Sequence, residues 1–259
     1  MGAHVFSGNF RIAKVDKNGV VQGGFLGIFN TTKAELVVPA PDKIQQISRM
    51  NGTAGQIVSS AQLPKPTSLN LSIDDTDDQR VLAYALNGLS AAFSQSSGSI
   101  VDEVITAPAT LGDWVAVANR QISTVVLTNS GGTTTYAAGT DYVVDAAAGF
   151  IRILATGTIT AAQSLKVDYA AAAIAGHDVQ GALVTSTLLR IDAELQSLVD
   201  NSKARLVVPI YNASSSGNQD FLGKNMLVAG LSGDMFIPPQ GSAANTETGG
   251  APFLLRRYG

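Results

Sequence analysis

The chain has 259 residues, a formal charge of −3, no cysteine and only 14% charged side chains. Its length suits one large β domain or two modest ones; the missing cysteines exclude disulfides and thiolate metal or redox sites, and the acidic balance argues against a surface that grips phosphates. Ordinary soluble domains carry roughly 25% charged residues, and wide contacts between subunits would account for the deficit. Met1–Leu26 has no basic start followed by an apolar run, so no signal peptide is read. No uninterrupted apolar stretch reaches the ~18 residues of a membrane span.

Val5–Val15 and Val20–Phe29 are predicted as strands around Lys17-Asn18-Gly19, because Asn-Gly is the strongest short hairpin signal. Glu35–Val38 is a short strand stopped by Pro39-Ala40-Pro41. Lys43–Met50 then pairs with Gly55–Ala61 around Asn51-Gly52-Thr53-Ala54. After Pro64-Lys65-Pro66 the residues alternate strictly, with Thr67, Leu69, Leu71 and Ile73 on one face and Ser68, Asn70, Ser72 and Asp74 on the other. This is a strand with one face on a core and one in water. A helix is predicted over Asp77–Leu86. Thr76 and Gln79 form its capping box, Asp77 and Asp78 suit its positive end, and Asn87-Gly88 stops it.

Ile100–Thr106 is predicted as a strand, with Trp114 beyond the turn Pro108–Gly112. Composition then shifts to Thr, Ala, Gly and Val. Strands at Thr124–Thr128, Tyr142–Val144, Ile151–Leu154 and Leu165–Tyr169 have the spacing of a small β-sandwich. Residues 122–173 are therefore predicted as a domain nested within 1–121 and 174–259. Leu183–Leu195 and Lys203–Tyr211 follow as a strand pair; helix propensity competes at Leu189–Leu195, and the partner strand decides. Asn225–Leu231 and Asp234–Ile237 are late strands, and Ser242–Gly250 is a polar loop before Phe253–Tyr258.

No motif of chemistry stands out. His4 and His177 are the only histidines, and neither has a ligand-like neighbour at His-x-x-x-His spacing. Asp74-Asp75-Thr76-Asp77-Asp78 lacks the loop Gly and closing Glu of a calcium loop, and helix capping explains it. Gly-x-Ser-x-Gly and the phosphate loop are absent. Gly23-Gly24-Phe25-Leu26-Gly27 leads into strand rather than helix. Asp102 and Glu103 adjoin in a strand and so point to opposite faces. Lys203, Arg190, Arg205 and Arg256-Arg257 lack the aromatics of a single-strand-binding platform. The expectation is a protein that is not an enzyme, with no metal and no cofactor.

From Asn51 to Leu86 the order is Gly-rich loop, strand, Pro-x-Pro, alternating strand, acidic cap and helix. This succession resembles the major tail tube proteins of long-tailed, siphovirus-like bacteriophages. Thr135-Tyr136-Ala137-Ala138-Gly139-Thr140-Asp141-Tyr142-Val143-Val144-Asp145, with Lys166-Val167-Asp168-Tyr169, looks like the Ig-like modules inserted into phage virion proteins. The resemblance implies a mainly β fold: a tail-tube-type β-sandwich or barrel with one flanking α-helix, plus a small inserted Ig-like β-sandwich. It implies hexameric rings stacked into the tail tube of the virion and assembled in the bacterial host cytoplasm. A tape measure protein would fill the tube, with a tail terminator and distal tail or baseplate proteins at its ends, and DNA would pass without tight binding.

Lumen-lining candidates are Gln45, Gln56, Ser59, Ser68, Asn70, Ser72 and Asp74. Candidates for contacts between rings are Asn51, Gly52, Thr53, Gly55, Pro64, Pro66, Phe253, Arg256, Arg257 and Tyr258. The alternatives are another phage tail or decoration protein, or a β-sandwich module that binds carbohydrate or cell surfaces through residues 122–173.

Overall fold

The computed structural model describes residues 6–74, 76–222 and 227–258. It is mainly β and divides into two units: the chain up to Ser90 together with that from Val179 onward, and Ala91–Asp178. The first unit opens with β1 (Phe6–Lys14), β2 (Leu26–Phe29) and β3 (Thr31–Val37), followed by β4 (Asp42–Ile47), β5 (Ile57–Leu63), β6 (Ser68–Ile73) and helix α1 (Gln79–Ala85). At the Asn18-Gly19 turn the Asp16 carboxylate accepts the amides of Asn18 and Val20, at 2.8 and 2.9 Å. Beyond a single bridge at Val15 and Val21, regular strand resumes only at Leu26, after Gly23-Gly24, so β2 is shorter than the predicted Val20–Phe29.

The predicted helix is present, but its cap is not. Asp78 rather than Thr76 is the N-cap, accepting the Arg80 amide at 2.9 Å and both sides of the Arg80 guanidinium. A carboxylate there holds the amide and the cation at once, which a Thr hydroxyl cannot. At the other end Asn87 takes the left-handed conformation with φ 48°, and the Gly88 amide donates to Ala83 at 2.7 Å. This is the Schellman arrangement with Asn in place of the usual Gly. Asn87 is used because its side chain also accepts the Ser215 amide at 2.8 Å.

Between the two segments of the first unit, β7 (Leu89–Gln95) pairs with β14 (Ile174–Gln180). The second unit contains β8 (Gly98–Thr106), β9 (Trp114–Ala116), β10 (Ile122–Asn129), β11 (Tyr142–Asp145), β12 (Phe150–Ile153) and β13 (Ser164–Ala171). They form two three-stranded sheets, β10-β13-β8 and β11-β12-β9, around one core that includes Leu127, Tyr142, Ile151, Ile153, Leu165, Val167 and Tyr169. The predicted nested domain began at Ile122, yet this unit begins at Ala91. The reason is pairing: β8 is the ladder partner of β13, and β9 of β12. Composition changed at Ile122, but the hydrogen bonding had changed earlier.

Asp141 locks this unit. Its buried carboxylate accepts the amides of Thr158 and Ala137, at 2.7 and 2.8 Å, and the Thr158 hydroxyl at 2.9 Å. These donors, Thr158 first, hold its carboxyl below the ordinary carboxylate range. An unfolded Asp titrates near ~3.9. The stabilisation is therefore present above that pH and is lost as pH falls through the lower folded value.

The chain re-enters the first unit with β15 (Thr187–Ser197), β16 (Lys203–Ser215) and β17 (Ala229–Met235), then helix α2 (Ala243–Thr248) and β18 (Leu254–Tyr258). Residues 189–195 are strand, as the partner argument required. The two predicted late strands are one, β17; Asn225 and Met226 lie outside the described residues. Ser242–Gly250, predicted as a loop, contains α2, with Ser242 accepting the Asn245 amide at 3.1 Å and Gly249 left-handed. The large sheet runs β2-β1-β15-β16-β17-β6-β3, with β18 also on β16. β16 serves two neighbours: Lys203–Val207 pair with β18 and Tyr211–Ser215 with β17. The change falls at Pro209, which offers no amide, beside a bulge against β15.

The outermost strands β2 and β3 are consecutive in the chain, joined by Asn30 alone. The sheet must therefore curl until its ends meet, and one of its faces becomes an interior. Phe10, Ile12, Leu69, Leu71, Ile73, Leu189, Ile191, Val208, Tyr211 and Leu231 fill that interior with Val81 and Ala85 of α1. The buried Tyr211 hydroxyl donates to the Leu69 carbonyl at 2.9 Å, and burial raises its pKa.

Two predictions follow from these cores. Tyr211→Phe should lower stability by about 1–2 kcal/mol through that lost bond, read as a lower urea midpoint at unchanged slope; an unchanged midpoint would show the hydroxyl contributes nothing. Asp141→Ala should destabilise the second unit at neutral pH and flatten its acid unfolding below about pH 4. The emission of Trp114, the chain's single Trp and part of this unit, measures it; an acid limb as steep as that of the parent would rule out the Asp141 lock.

Candidate functional site

β3 and β6 are antiparallel neighbours, with Val37 opposite Ser68 at the end of their ladder. The chain between them continues as a second ladder, β4 with β5. Prolines separate the two ladders on both strands: Pro39 and Pro41 on one, Pro64 and Pro66 on the other. Having no amide, they cannot carry the hydrogen bonds across. The result is a two-stranded arm whose side chains are exposed along its whole length. Lys65 and Asp42 form an ion pair at its base, at 2.7 Å.

The arm's tip is tied back through Ser48. Its amide donates to Gln56 at 2.8 Å, its carbonyl accepts from Gly55 at 3.0 Å, and its hydroxyl meets that of Thr53 at 2.8 Å. Gly52 and Gly55 both take positive φ there, which the turn requires. Register places Asp42, Ile44, Gln46, Ser59, Ala61 and Leu63 on one face. Lys43, Gln45, Ser60 and Gln62 lie on the other. A bulge at Val58 then brings Ile47 opposite Ile57. Apolar side chains thus change face along the arm: Ile44 and Leu63 near the base on one side, Ile47 and Ile57 near the tip on the other. Each is more than half exposed.

The second feature is the outward face of β3, β6, β17 and the far half of β16. Leu69, Leu71 and Ile73 enter the core, so Ser68, Asn70 and Ser72 face out, half-buried among their neighbours. Ladder partners on the same face are Lys33 and Glu35 of β3, Ser232 and Asp234 of β17, and Asn212 and Ser214 of β16. Asn70 donates to Glu35 at 3.3 Å and accepts from Ser232 at 2.6 Å. Lys33 pairs with Glu35 at 2.9 Å. The Lys33 and Asn70 hydrogen bonds hold the Glu35 carboxyl below its ordinary range. Across these strands the face carries one cation, Lys33, against two carboxylates, Glu35 and Asp234.

A third feature is an ionic cluster fixing the C-terminal segment. Arg190 donates to Glu247 of α2 at 2.7 Å, and Arg205 pairs with Asp192 and, at 3.5 Å, with Glu247. Asp192 keeps the Arg205 guanidinium firmly charged. β18 then runs along Lys203–Val207 with Arg256, Arg257 and Tyr258 exposed, while Phe253 packs on the core.

The structure sorts the predicted residues as follows. Ser68, Asn70 and Ser72 share one face; Asp74 lies past the strand end, where it accepts from Asn30 at 2.7 Å. Gln45, Gln56 and Ser59 belong instead to the arm. Gln45 and Ser59 point to opposite sides of it, so the two cannot line a single surface. Asn51, Gly52, Thr53 and Gly55 form the arm's tip, and Pro64 and Pro66 its base. Phe253, Arg256, Arg257 and Tyr258 belong to the C-terminal segment rather than to the arm. His177 is exposed on β14, and His4 lies outside the described residues. Among the described residues no three His, Cys, Asp or Glu side chains gather as metal ligands, and no helix is long and apolar enough to cross a membrane. Sequence reasoning missed Ser232 and Asp234, although Ala229, Leu231, Gly233 and Met235 alternate with them at period 2.

A family model matches residues 3–189, which include the arm, the β3–β6 ladder and the whole second unit. The chain belongs to that family, described as protein of unknown function UCP028589. No curated protein matches the chain.

In this member of the family the C-terminal segment, which the match does not reach, depends on Glu247. Glu247→Ala should cost about 1.5–3 kcal/mol, because the charged hydrogen bond from buried Arg190 is lost. Limited proteolysis should then release fragments cut after Ser242. A cleavage pattern identical to that of the parent would show that the cluster does not hold the segment.

Proposed function

We propose that this protein is a structural subunit that assembles with copies of itself into stacked rings, as the tail tube protein of a long-tailed bacteriophage does, forming a conduit for DNA. The observation that carries this reading is the arm. A lone two-stranded hairpin is marginal in water, and no side chain of this one's two strands, β4 and β5, is buried against its own chain. Exposed Ile44, Ile47, Ile57 and Leu63 gain support only from other molecules. A second support is β18, which among the described residues is paired along β16 alone: such an edge strand invites pairing with another chain, and closure into a ring of subunits would leave no edge open. Six copies per ring, stacking through the arm tip and the C-terminal segment, follow from the resemblance.

The outward face of β6 is the channel lining on this reading. DNA slides through a conduit only if phosphates find few cations to bind, and the one cation here, Lys33, is already paired with Glu35. Within about 8–10 Å the excess carboxylate repels phosphate at physiological salt. The protein would reside in the virion tail, with a tape measure protein inside the tube and terminator and distal tail proteins at its ends. The second unit would be an Ig-like module carried by that tube.

Negative-stain microscopy with light scattering of the concentrated protein should show rings or hollow tubes. Ile47→Ser with Ile57→Ser should abolish them without lowering the thermal midpoint, since both side chains are exposed in the single chain. Monomer at every concentration, or normal tubes from the double variant, would overturn the proposal.

A further inference from the structure

The outer face of the β11-β12-β9 sheet carries a set of side chains that the tube reading does not use. Register places Val143, Arg152 and Trp114 in one row across the three strands, and Asp145, Phe150 and Ala116 in the next row on the same face. The alternate rows, Val144, Ile151 and Val115 with Tyr142 and Ile153, turn into the core. Trp114 is 48% exposed on this face. An indole half in water on a sheet face has apolar area to bury. Chain-wide scarcity sharpens the point: aromatic residues are 6% of the chain, and its one Trp stands here.

Polar groups on this face are held in place. Arg152 donates through Nε to the Gly112 carbonyl at 2.6 Å, which leaves its two Nη groups without a partner among the described residues. The Arg120 guanidinium lies over the Phe150 ring, 5.4 Å from its centroid, and donates to the Val117 carbonyl at 3.2 Å. Asp145 receives the Ala148 amide on Oδ1 at 3.1 Å, which leaves Oδ2 able to accept. Side chains already ordered lose little entropy on binding.

We infer that this face binds a neutral oligosaccharide. A sugar ring has a flat patch of C–H groups that stacks on an aromatic plane, and a rim of hydroxyls that both donate and accept. Trp114 supplies the plane, Arg152 the donors and Asp145 the acceptor. A polyanion would meet the Asp145 carboxylate on the edge strand β11, and nucleic acid needs an unbroken track of cations. The inference does not depend on assembly into tubes.

The test is titration of the full chain with maltohexaose, chitohexaose and, as a polyanion, polygalacturonate. It is followed by Trp114 emission in the parent and by calorimetry in variants. The expected result is saturable binding of at least one neutral hexasaccharide with a dissociation constant of about 1 mM or tighter. Trp114→Ala and Arg152→Ala should each weaken it roughly tenfold or more. Trp114→Phe should retain most of it, and Val101→Ala, on the other sheet, all of it. Far-UV circular dichroism checks that each variant is folded. Three results overturn the inference: no saturable signal with either neutral sugar, binding of polygalacturonate alone, or sugar binding that survives Trp114→Ala.

Discussion

β2 and β3 end opposite sides of a seven-strand path, yet only Asn30 lies between them in the chain. That covalent constraint bends the sheet on itself and decides what every other residue of the first unit can do. Asn30 also fastens the seam, donating to the Asp74 carboxylate while its carbonyl accepts the Asp74 amide at 3.2 Å. Once the sheet is closed, strict alternation has one outcome: Leu69, Leu71 and Ile73 are interior, and Ser68, Asn70 and Ser72 are not. A flat sheet with the same sequence would leave its apolar face needing a second sheet. The curled one supplies its own opposite wall, from β1 and β15.

The paired prolines act against this closure at one place. The β3–β6 ladder could extend outward indefinitely by hydrogen bonding, but Pro39, Pro41, Pro64 and Pro66 cut it on both strands at the same level. Beyond the cut, a new ladder begins with no core beneath it. Apolar residues on such an arm do not stabilise the isolated chain, because nothing of their own chain removes them from water. On the proposed reading their presence concerns association rather than folding, and the low charge of the chain fits the same reading.

Much of this was legible in the sequence because it depends on local rules. Period-2 alternation placed β6 within Thr67–Asp74, and Pro-x-Pro located the base of the arm. Asn87-Gly88 marked the helix end. Other features escaped for physical reasons. The helix start moved from Thr76 to Asp78 because Arg80 recruits the carboxylate, a side-chain pairing no capping pattern encodes. α2 read as a polar loop since Ala-Ala-Asn-Thr-Glu-Thr has no apolar stripe; tertiary ion pairs from Arg190 and Arg205 to Glu247 anchor it. The second unit began earlier than its composition because β8 belongs to it through long-range pairing with β13. Gln45 and Ser59 looked equivalent along the chain, and only register separates their faces.

The division of the lumen candidates follows from that same register. The bulge at Val58 puts one apolar pair on each side of the arm, so a neighbour on one side alone would leave the other pair in water. An arm used fully must lie between two copies at once. Such contacts are head-to-tail, since the surface that receives the arm differs from the arm itself, and head-to-tail contacts close as rings or propagate as filaments. On the proposed reading, an arm held on both faces has no face left for a channel, so Gln45, Gln56 and Ser59 would drop out of the lining and the sheet face of Ser68, Asn70 and Ser72 would remain. That face already meets the electrostatic demand of a conduit, because its one cation is occupied by Glu35 and the unbalanced charge, Asp234, is negative.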